Sequence, residues 1–313
     1  MAIHEFGGPE QIEEIDVPDP LVGPDSILIR VKTAGVNPVD AKIRQGASKE
    51  RWPHFFPLIL GWDAAGVVER AGPAIRHLGE GDEVYAYCRK DYVRDGTYAE
   101  LVSVRAPSVA RKPATASWEE AGATPLAALT AFQALHDALQ VERGDTVLIH
   151  GGSGGVGSFA VQLARSAGAH VIATASAANH DFLRDLGAAD AIDYNERDFA
   201  DAVRESHPDG VDHVLDLVGG DTLARSAAVL RPRGRAASVL VPQAPGALAE
   251  NDIDFSYVFV RPDAGQLTAI AGLVDEGEVR VQVQEALPLA DAARAHEQIE
   301  SGHTRGKLVL NVA

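Results

Sequence analysis

The sequence predicts an α/β protein of two domains, a doubly wound parallel sheet preceded by a barrel-like β domain. Three observations carry this. From Asp145 onward, short apolar runs alternate with amphipathic segments, as strand–helix–strand crossovers require. The stretch Asp145 to Gly157, DTVLIHGGSGGVG, passes from such a run through clustered glycines into apolar positions at helical spacing. Before it, the chain holds short β-like runs broken by Gly and Pro.

Taken in order, Met1 to Gly8 reads as a strand and turn, and Ile27 to Thr33 (ILIRVKT) alternates as a half-buried strand does. Ala65 to Arg70 and Glu83 to Ala86 are further strands, punctuated by Gly66, Gly72, Gly79 and Gly81. Trp52 to Pro57 (WPHFFP) and Cys88 to Gly96 (CRKDYVRDG) read as exposed loops that can border a pocket. After Pro113 the pattern turns helical, with Ser117 as N-cap and Glu120 completing a capping box; Thr130 to Leu139 is a second helical run. Strands are expected near Thr146 to Ile149, His170 to Thr174, Ala191 to Asp193, Val211 to Leu217 and Arg235 to Val241. Phe255 to Val260 (FSYVFV) follows as an edge strand that needs pairing or cover, Ala264 to Glu276 as a helix, and Lys307 to Val312 as a final strand.

Composition narrows the function classes. At 313 residues the chain can bury two cores, and 46% hydrophobic with 23% charged residues is ordinary for a folded protein. Forty-five acidic residues against 28 Lys and Arg give a net charge of −17, which disfavours nonspecific binding to nucleic acid or anionic membrane. Cys88 is the only cysteine, so an internal disulfide is excluded and a reducing, cytoplasmic compartment is expected. No stretch has the apolar length of a membrane span.

Gly152, Gly154 and Gly157 satisfy GxGxxG. The first allows a tight turn, the second lets the backbone approach a pyrophosphate, and the third lets helix and strand pack closely. Ser153, Gly155 and Val156 complete the turn, whose amides at the helix start would face phosphates. The bare pattern is weak. Its setting, between one apolar strand and another about twenty residues on, is what a dinucleotide-binding βαβ unit needs. No Lys-Ser or Lys-Thr pair follows the glycines, so a P-loop is excluded.

Four stretches, in this order and spacing, carry a more specific signal: AGVNPVD at Ala34 to Asp40, GWDAAGVV at Gly61 to Val68, GGSGGVG at Gly151 to Gly157, and HTRGKLVL at His303 to Leu310. Over nearly its whole length the chain resembles the zinc-independent quinone oxidoreductases of the medium-chain dehydrogenase/reductase superfamily. The resemblance implies a GroES-like catalytic domain from both chain ends (residues 1–117 and 262–313), a Rossmann domain between them (118–261), NADPH as hydride donor, and a homodimer. Zinc-dependent members carry a cysteine where this chain has Asn37 and a histidine where it has Trp62, together with a four-cysteine lobe that is missing here. Amide and indole cannot supply the thiolate and imidazole that zinc prefers, so no metal is expected.

The second strand ends Ala173, Thr174, Ala175, Ser176, without the acid that an NAD-preferring site uses on the ribose 2′-hydroxyl. NADPH is therefore favoured, with Ser176 donating to the 2′-phosphate, capping the helix at Ala177, or both. Where NADPH-dependent relatives often have lysine this chain has Ala178, leaving Asn179, His180, Arg184 or Tyr194 to compensate. By resemblance Thr124 also belongs to the cofactor site, Val218 to Asp221 (VGGD, with Gly219) lies against the nicotinamide ribose, Leu240 to Pro242 and Phe259 wall the ring, and Gly306 and Lys307 return toward it. Phe259 as a core aromatic and Lys307 as a solvated lysine are the alternatives. His150, His170 and His180 share no ligand spacing and read as polar neighbours of the nucleotide or surface residues.

The chemistry implied is hydride transfer from NADPH to a quinone or an α,β-unsaturated carbonyl. Asn37 is the candidate for the acceptor oxygen or the nicotinamide. Asp40 is expected to bond nearby backbone. Tyr92 is either a proton donor or a solvent-exposed side chain. Trp52, Phe55, Phe56 and Trp62 shape an apolar pocket or pack the β domain. No general acid is evident, so the proton is expected from water or the substrate's hydroxyl. A pathway-specific enoyl reductase or an alcohol dehydrogenase of the same fold is the alternative. A non-enzymatic role such as RNA binding is disfavoured, since the chain has no basic stripe.

Overall fold

The computed structural model describes residues 1–241 and 246–312. The chain divides into two compact units, Met1–Leu129 with Arg261–Gly277 and Val281–Ala313, and Thr130–Val260 with Glu278–Arg280. The first break falls later than the expected 117/118. The capped helix Trp118–Ala123 stays with the first unit because it buries Ala121, Gly122 and Ala123 against the strands of that unit.

The first unit is built around one long strand. It contributes β1 (Ala2–Ile3), β2 (Ser26–Val36), β3 (His54–Ile59), β4 (Asp63–Ala71), β5 (Glu83–Tyr87), β6 (Val93–Asp95), β7 (Leu101–Arg105) and β8 (Val109–Arg111). Along one edge of β2 runs β4. Along the other edge β7 takes Ser26 to Arg30, leaving Thr33 to Val36 for the C-terminal strand of the chain. Register shifts at Leu28/Ile29 and Val31/Thr33 accompany this change of neighbour, as bulges do where a sheet bends. Ile27, Ile29 and Val31 are fully buried, each contributing roughly 1.5–3 kcal/mol of transfer free energy.

Two segments read as loops contain strands. His54 to Ile59 pairs with β1 and β6, and Pro57 sits in the register gap between His54 and Ile59, where no ladder bond to β6 needs its missing N–H. Val93 to Asp95 forms β6, with Cys88 and Val93 buried; only three residues long and flanked by charges, it has no readable period.

The second unit holds β9 (Thr146–His150), β10 (His170–Ala175), β11 (Asp190–Asp193), β12 (Val211–Asp216), β13 (Leu230–Ser238) and β14 (Asp254–Tyr257). They form a parallel sheet in the order β11-β10-β9-β12-β13-β14. The chain moves outward from β9 to β11 and then returns to pair β12 with β9. The topological switch point, where such sheets bind ligands, therefore lies at the C-terminal ends of β9 and β12. A helix, Gly155–Ser166, leaves β9 directly after the glycine turn. β14 lies at the sheet edge as expected, although it stops at Tyr257.

Thr130 to Leu139 is helical as expected, but the helix begins at Pro125 and its last stretch, Gln133–Leu139, is wound as a π-helix. The chain closes with β15 (Val283–Pro288), the helix Ala292–Glu300 and β16 (Lys307–Asn311), which completes the second edge of β2. No described helix is long and apolar enough to cross a membrane.

Candidate active site

In the second unit the three motif glycines differ in what requires them. A Cβ on Gly157 would lie 2.2 Å from the Gly151 carbonyl oxygen, and one on Gly152 2.9 Å from the Ala173 Cβ, so packing forbids a side chain at both. A Cβ on Gly154 would meet nothing closer than the Gly151 oxygen at 3.5 Å, and its φ of −77° suits any residue. The protein's own packing does not need glycine there. The space over Gly154 is therefore open, and no side chain caps the helix that starts at Gly155, so its first N–H groups remain for a ligand. These features fit a pyrophosphate.

The turn is braced from behind. His150 is buried, donates or accepts across 3.0 Å to Ser226 Oγ and 3.4 Å to Thr174 Oγ1, and packs edge-on against Phe199. Burial pulls its pKa down to about 4, so it stays neutral. It is therefore not a surface residue; His170 is exposed and paired with Asp190, and His180 has its Nε2 buried without a partner among the described residues. Asp216 at the end of β12 accepts from the Val218 and Gly219 amides at 3.0 Å each and from Ser238 Oγ at 2.9 Å, and Ser238 Oγ in turn accepts from Leu240 N. One buried carboxylate thus shapes both segments assigned to the nicotinamide side.

The exit of β10 is shaped in part by the neighbouring strand. β10 itself carries no acid there, yet Asp193, in register with Ala175 on the neighbouring strand, accepts from Ala177 N at 3.1 Å. Bonds from backbone and Asn195 hold this carboxyl below its usual range, so the site where a 2′-phosphate is expected already holds a negative charge. Asn179 Nδ2 donates to Ser176 Oγ at 3.2 Å, which brings those two candidates together. Tyr194 and Val218 are exposed, and so is Phe259, which therefore does not serve as a core aromatic. Pro242 lies outside the described residues.

In the first unit a polar cluster is buried around Asn37. Lys307 is 3% exposed, not a solvated lysine; its ammonium donates to Asn37 Oδ1 and to Val36 O (2.9 Å) and lies 3.9 Å from Asp63 Oδ2. Asn37 Nδ2 donates to Asp63 Oδ2 at 2.9 Å, and Leu126 N donates to Asp63 Oδ1 at 2.8 Å. Burial raises the Asp63 carboxyl to about 6, held from going higher by Lys307 and Asn37; burial lowers Lys307, opposed by Asp63 and Asp40. Asp40 accepts from Asn37 N at 2.8 Å, the turn bond expected of it, and burial raises it to about 7.

Behind Asp40 runs a directional chain. Arg44 Nε can only donate, so His296 Nδ1 accepts at 3.2 Å. Burial and Arg44 pull the His296 pKa down to about 3, leaving a neutral ring with its proton on Nε2. That N–H faces Tyr98 Oη at 3.3 Å, and Tyr98 donates to Asp40 Oδ2 at 3.3 Å. Arg44 also pairs with Glu300 at 2.7 Å.

The remaining candidates divide. Trp62 is buried and packs edge-on against Trp52 and Tyr87, while Phe56 is partly exposed against Phe6. Tyr92 is 38% exposed and donates to Asp95 at 3.3 Å; it makes no bond to the Asn37 cluster, and burial with Asp95 raises its pKa. Thr124 is buried, and its hydroxyl donates to Glu120 O at 2.7 Å. Asp63, Tyr98, His296 and Asp216 were missed by sequence reasoning. For Asp63 and Asp216 the only signal is an acid embedded in an apolar run, as in GWDAAGVV and VDHVLDL; Tyr98 and His296 have none.

Zinc does not fit this arrangement. Asn37 offers an amide already held by a buried ammonium, and a dication beside Lys307 would meet direct repulsion. Burial pushes the Cys88 thiol up to about 12, far from the thiolate a metal requires.

Comparison with known proteins follows the same outline. Residues 23–114 match the model described as alcohol dehydrogenase GroES-like domain, and 186–310 that described as zinc-binding dehydrogenase. A quinone oxidoreductase structure from Coxiella burnetii is 35% identical, with a TM-score of 0.89, covering 100% of this chain and 98% of that one. An Escherichia coli quinone oxidoreductase complexed with NADPH is 29% identical at a TM-score of 0.88, covering 99% of each chain. The chloroplastic NADPH-dependent alkenal/one oxidoreductase of Arabidopsis thaliana is 31% identical, over 98% of this chain and 77% of the relative.

Proposed function

Since this chain belongs to the quinone oxidoreductase family of the medium-chain dehydrogenase/reductase superfamily, we infer that it reduces quinones or α,β-unsaturated carbonyls with NADPH and without zinc. The observation that carries the reading is the glycine turn, where Gly154 is spared a side chain for no reason internal to the protein. When bound, NADPH supplies a hydride, two electrons with one proton. The chain's residues do the rest. Gly152 to Gly157 hold the pyrophosphate, Ser176 and Asn179 the adenosine ribose, and the Asp216-organised segments at Val218, Gly219 and Leu240 the nicotinamide side. Asn37 donates to the acceptor oxygen, and water supplies the proton, since the two carboxyls beside Asn37, Asp40 and Asp63, are both buried and already bonded to it. Trp62 and Trp52 give the acceptor an apolar wall.

Oxidation of NADPH, followed at the nicotinamide absorbance against a panel of quinones and enones, is the direct test. Turnover of several acceptors, undiminished by a chelator, is expected. Turnover lost on chelation and restored by zinc would overturn the metal-free reading in favour of an alcohol dehydrogenase, and reaction with a single enone would narrow the enzyme to an enoyl reductase.

The same reading includes a cytoplasmic homodimer joined through the outer edge of β14, which pairs with no strand among the described residues and needs a partner. Sedimentation should give twice the 33.1 kDa chain mass, and Ser256→Pro in that strand should give monomers; a monomeric parent protein would remove the dimer. Recovery in a membrane fraction would remove the cytoplasmic location.

A further inference from the structure

The cluster around Asn37 contains more charge than a structural turn requires. Its amide is engaged at both ends. Oδ1 accepts from the Lys307 ammonium, and one Nδ2 hydrogen goes to Asp63 Oδ2 at 2.9 Å. The backbone N–H of Asn37 is tied to Asp40 as well. Lys307 cannot swing away, since Val36 O holds it at 2.9 Å, and Asp63 is fixed from its other oxygen by Leu126 N. The amide therefore cannot flip: an ammonium beside nitrogen, or a carboxylate beside oxygen, would be repulsive in a site where all three side chains are at most 3% exposed. One Nδ2 hydrogen is left without an acceptor among the described residues. It is the only polar hydrogen of the amide free to meet a ligand.

We propose that Lys307 and Asp63 are positioning residues, which lock the Asn37 amide so that its spare N–H is presented to the acceptor's carbonyl oxygen, and that the Lys307 charge, through the amide oxygen, strengthens that donor. The proposal rests on the hydride-transfer reading above. When the hydride forms the new C–H bond at the β-carbon of an enone, the C=C pair shifts and the carbonyl oxygen takes up negative charge. The proton that completes the product comes from water. A fixed donor aimed at an oxygen where charge develops lowers the barrier without reorganisation. Lys307 and Asp63 touch no substrate. They act through Asn37.

Two measurements test this. The first needs no turnover: in cofactor-free protein labelled with 15N-asparagine, the Asn37 side-chain amide is expected to give two well-separated proton resonances. In Lys307→Met they should move together. Because removing one partner of a buried pair can prevent folding, Lys307→Met/Asp63→Asn, which removes both charges, is the second variant, and the same collapse is expected. Unmoved resonances in both variants would overturn the clamp whatever the enzyme reduces.

The second measurement is a kinetic cycle. Asn37→Ala should lower kcat by about 100-fold, the usual loss for one oxyanion donor, with little change in NADPH affinity. Lys307→Met should lower kcat by about 10-fold in the parent but add almost nothing in the Asn37→Ala background, because its effect passes through that amide. Lys307→Arg should restore part of kcat. Additive losses, or a loss confined to KM, would assign Lys307 a purely structural role and overturn the proposal. If the parent enzyme oxidises NADPH with no quinone or enone, the hydride-transfer reading fails, and the acceptor role of Asn37 fails with it.

Discussion

Gly154→Val is expected to abolish NADPH binding while leaving the fold intact. The backbone at this position, φ −77° and ψ −179°, is extended and open to valine, and the nearest atom to a new Cβ is 3.5 Å away. Stability of the cofactor-free protein should therefore change by less than about 0.5 kcal/mol, as for substitutions that disturb no packing. The isopropyl group would instead fill the space above the turn, lifting the pyrophosphate off the amides at the start of the helix Gly155–Ser166. Losing that approach should weaken binding by at least ~100-fold, about 2.8 kcal/mol at tenfold per 1.4 kcal/mol. Fluorescence titration with NADPH alongside thermal unfolding checks both halves. An unchanged dissociation constant would remove the cofactor assignment from this turn.

Three residues on, Gly157→Ala should fail differently. Its Cβ would lie 2.2 Å from the Gly151 carbonyl oxygen and 2.7 Å from the Gly152 Cα, and both obstacles are backbone, so no side-chain rotation relieves them. The helix must move away from β9, at a cost of roughly 1–3 kcal/mol for overpacking, and more because the obstructing atoms are main chain. A fall in the unfolding midpoint without cofactor is expected, with NADPH binding lost in parallel. A stable Gly157→Ala protein would mean that the helix does not pack against the turn as closely as the structure shows. The two glycines belong to one motif, but the fold itself requires only the second.

The second unit was the more legible in sequence. Its parallel strands are buried on both faces and read as apolar runs, and a helix period separates them, so both the sheet and the turn at its switch point could be placed before any coordinates. The capping box at Ser117 and Glu120 was equally visible, because its bonds are local: Glu120 N donates to Ser117 Oγ at 3.1 Å and Ser117 N to Glu120 Oε2 at 2.8 Å. The first unit was read less fully. β3 and β6 were hidden by Pro57 and by charges on a three-residue strand, and β15 with the helix Ala292–Glu300 went unmarked. Its short strands with Gly and Pro turns pointed to a barrel-like domain, while resemblance supplied its closure by both chain ends and singled out Asn37.

What the sequence determined by itself is what local chemistry writes into adjacent residues: the α/β class, the GxGxxG turn, the capped helix, and the absence of thiolate and imidazole at Asn37 and Trp62. Tertiary structure alone decided the charges around that asparagine. Lys307 and Asn37 are separated by 270 residues of chain, and Asn37 and Asp63 by 26. No pattern along the sequence says that β16 closes beside the end of β2, which is what turns an apparently solvated lysine into a buried ammonium. The acid at the β10 exit was invisible for the same reason, since Asp193 reaches that turn from a neighbouring strand. A side chain's period is set by its own backbone, but its field is set by whatever the fold brings beside it, and desolvation makes that field strong only once the core has closed.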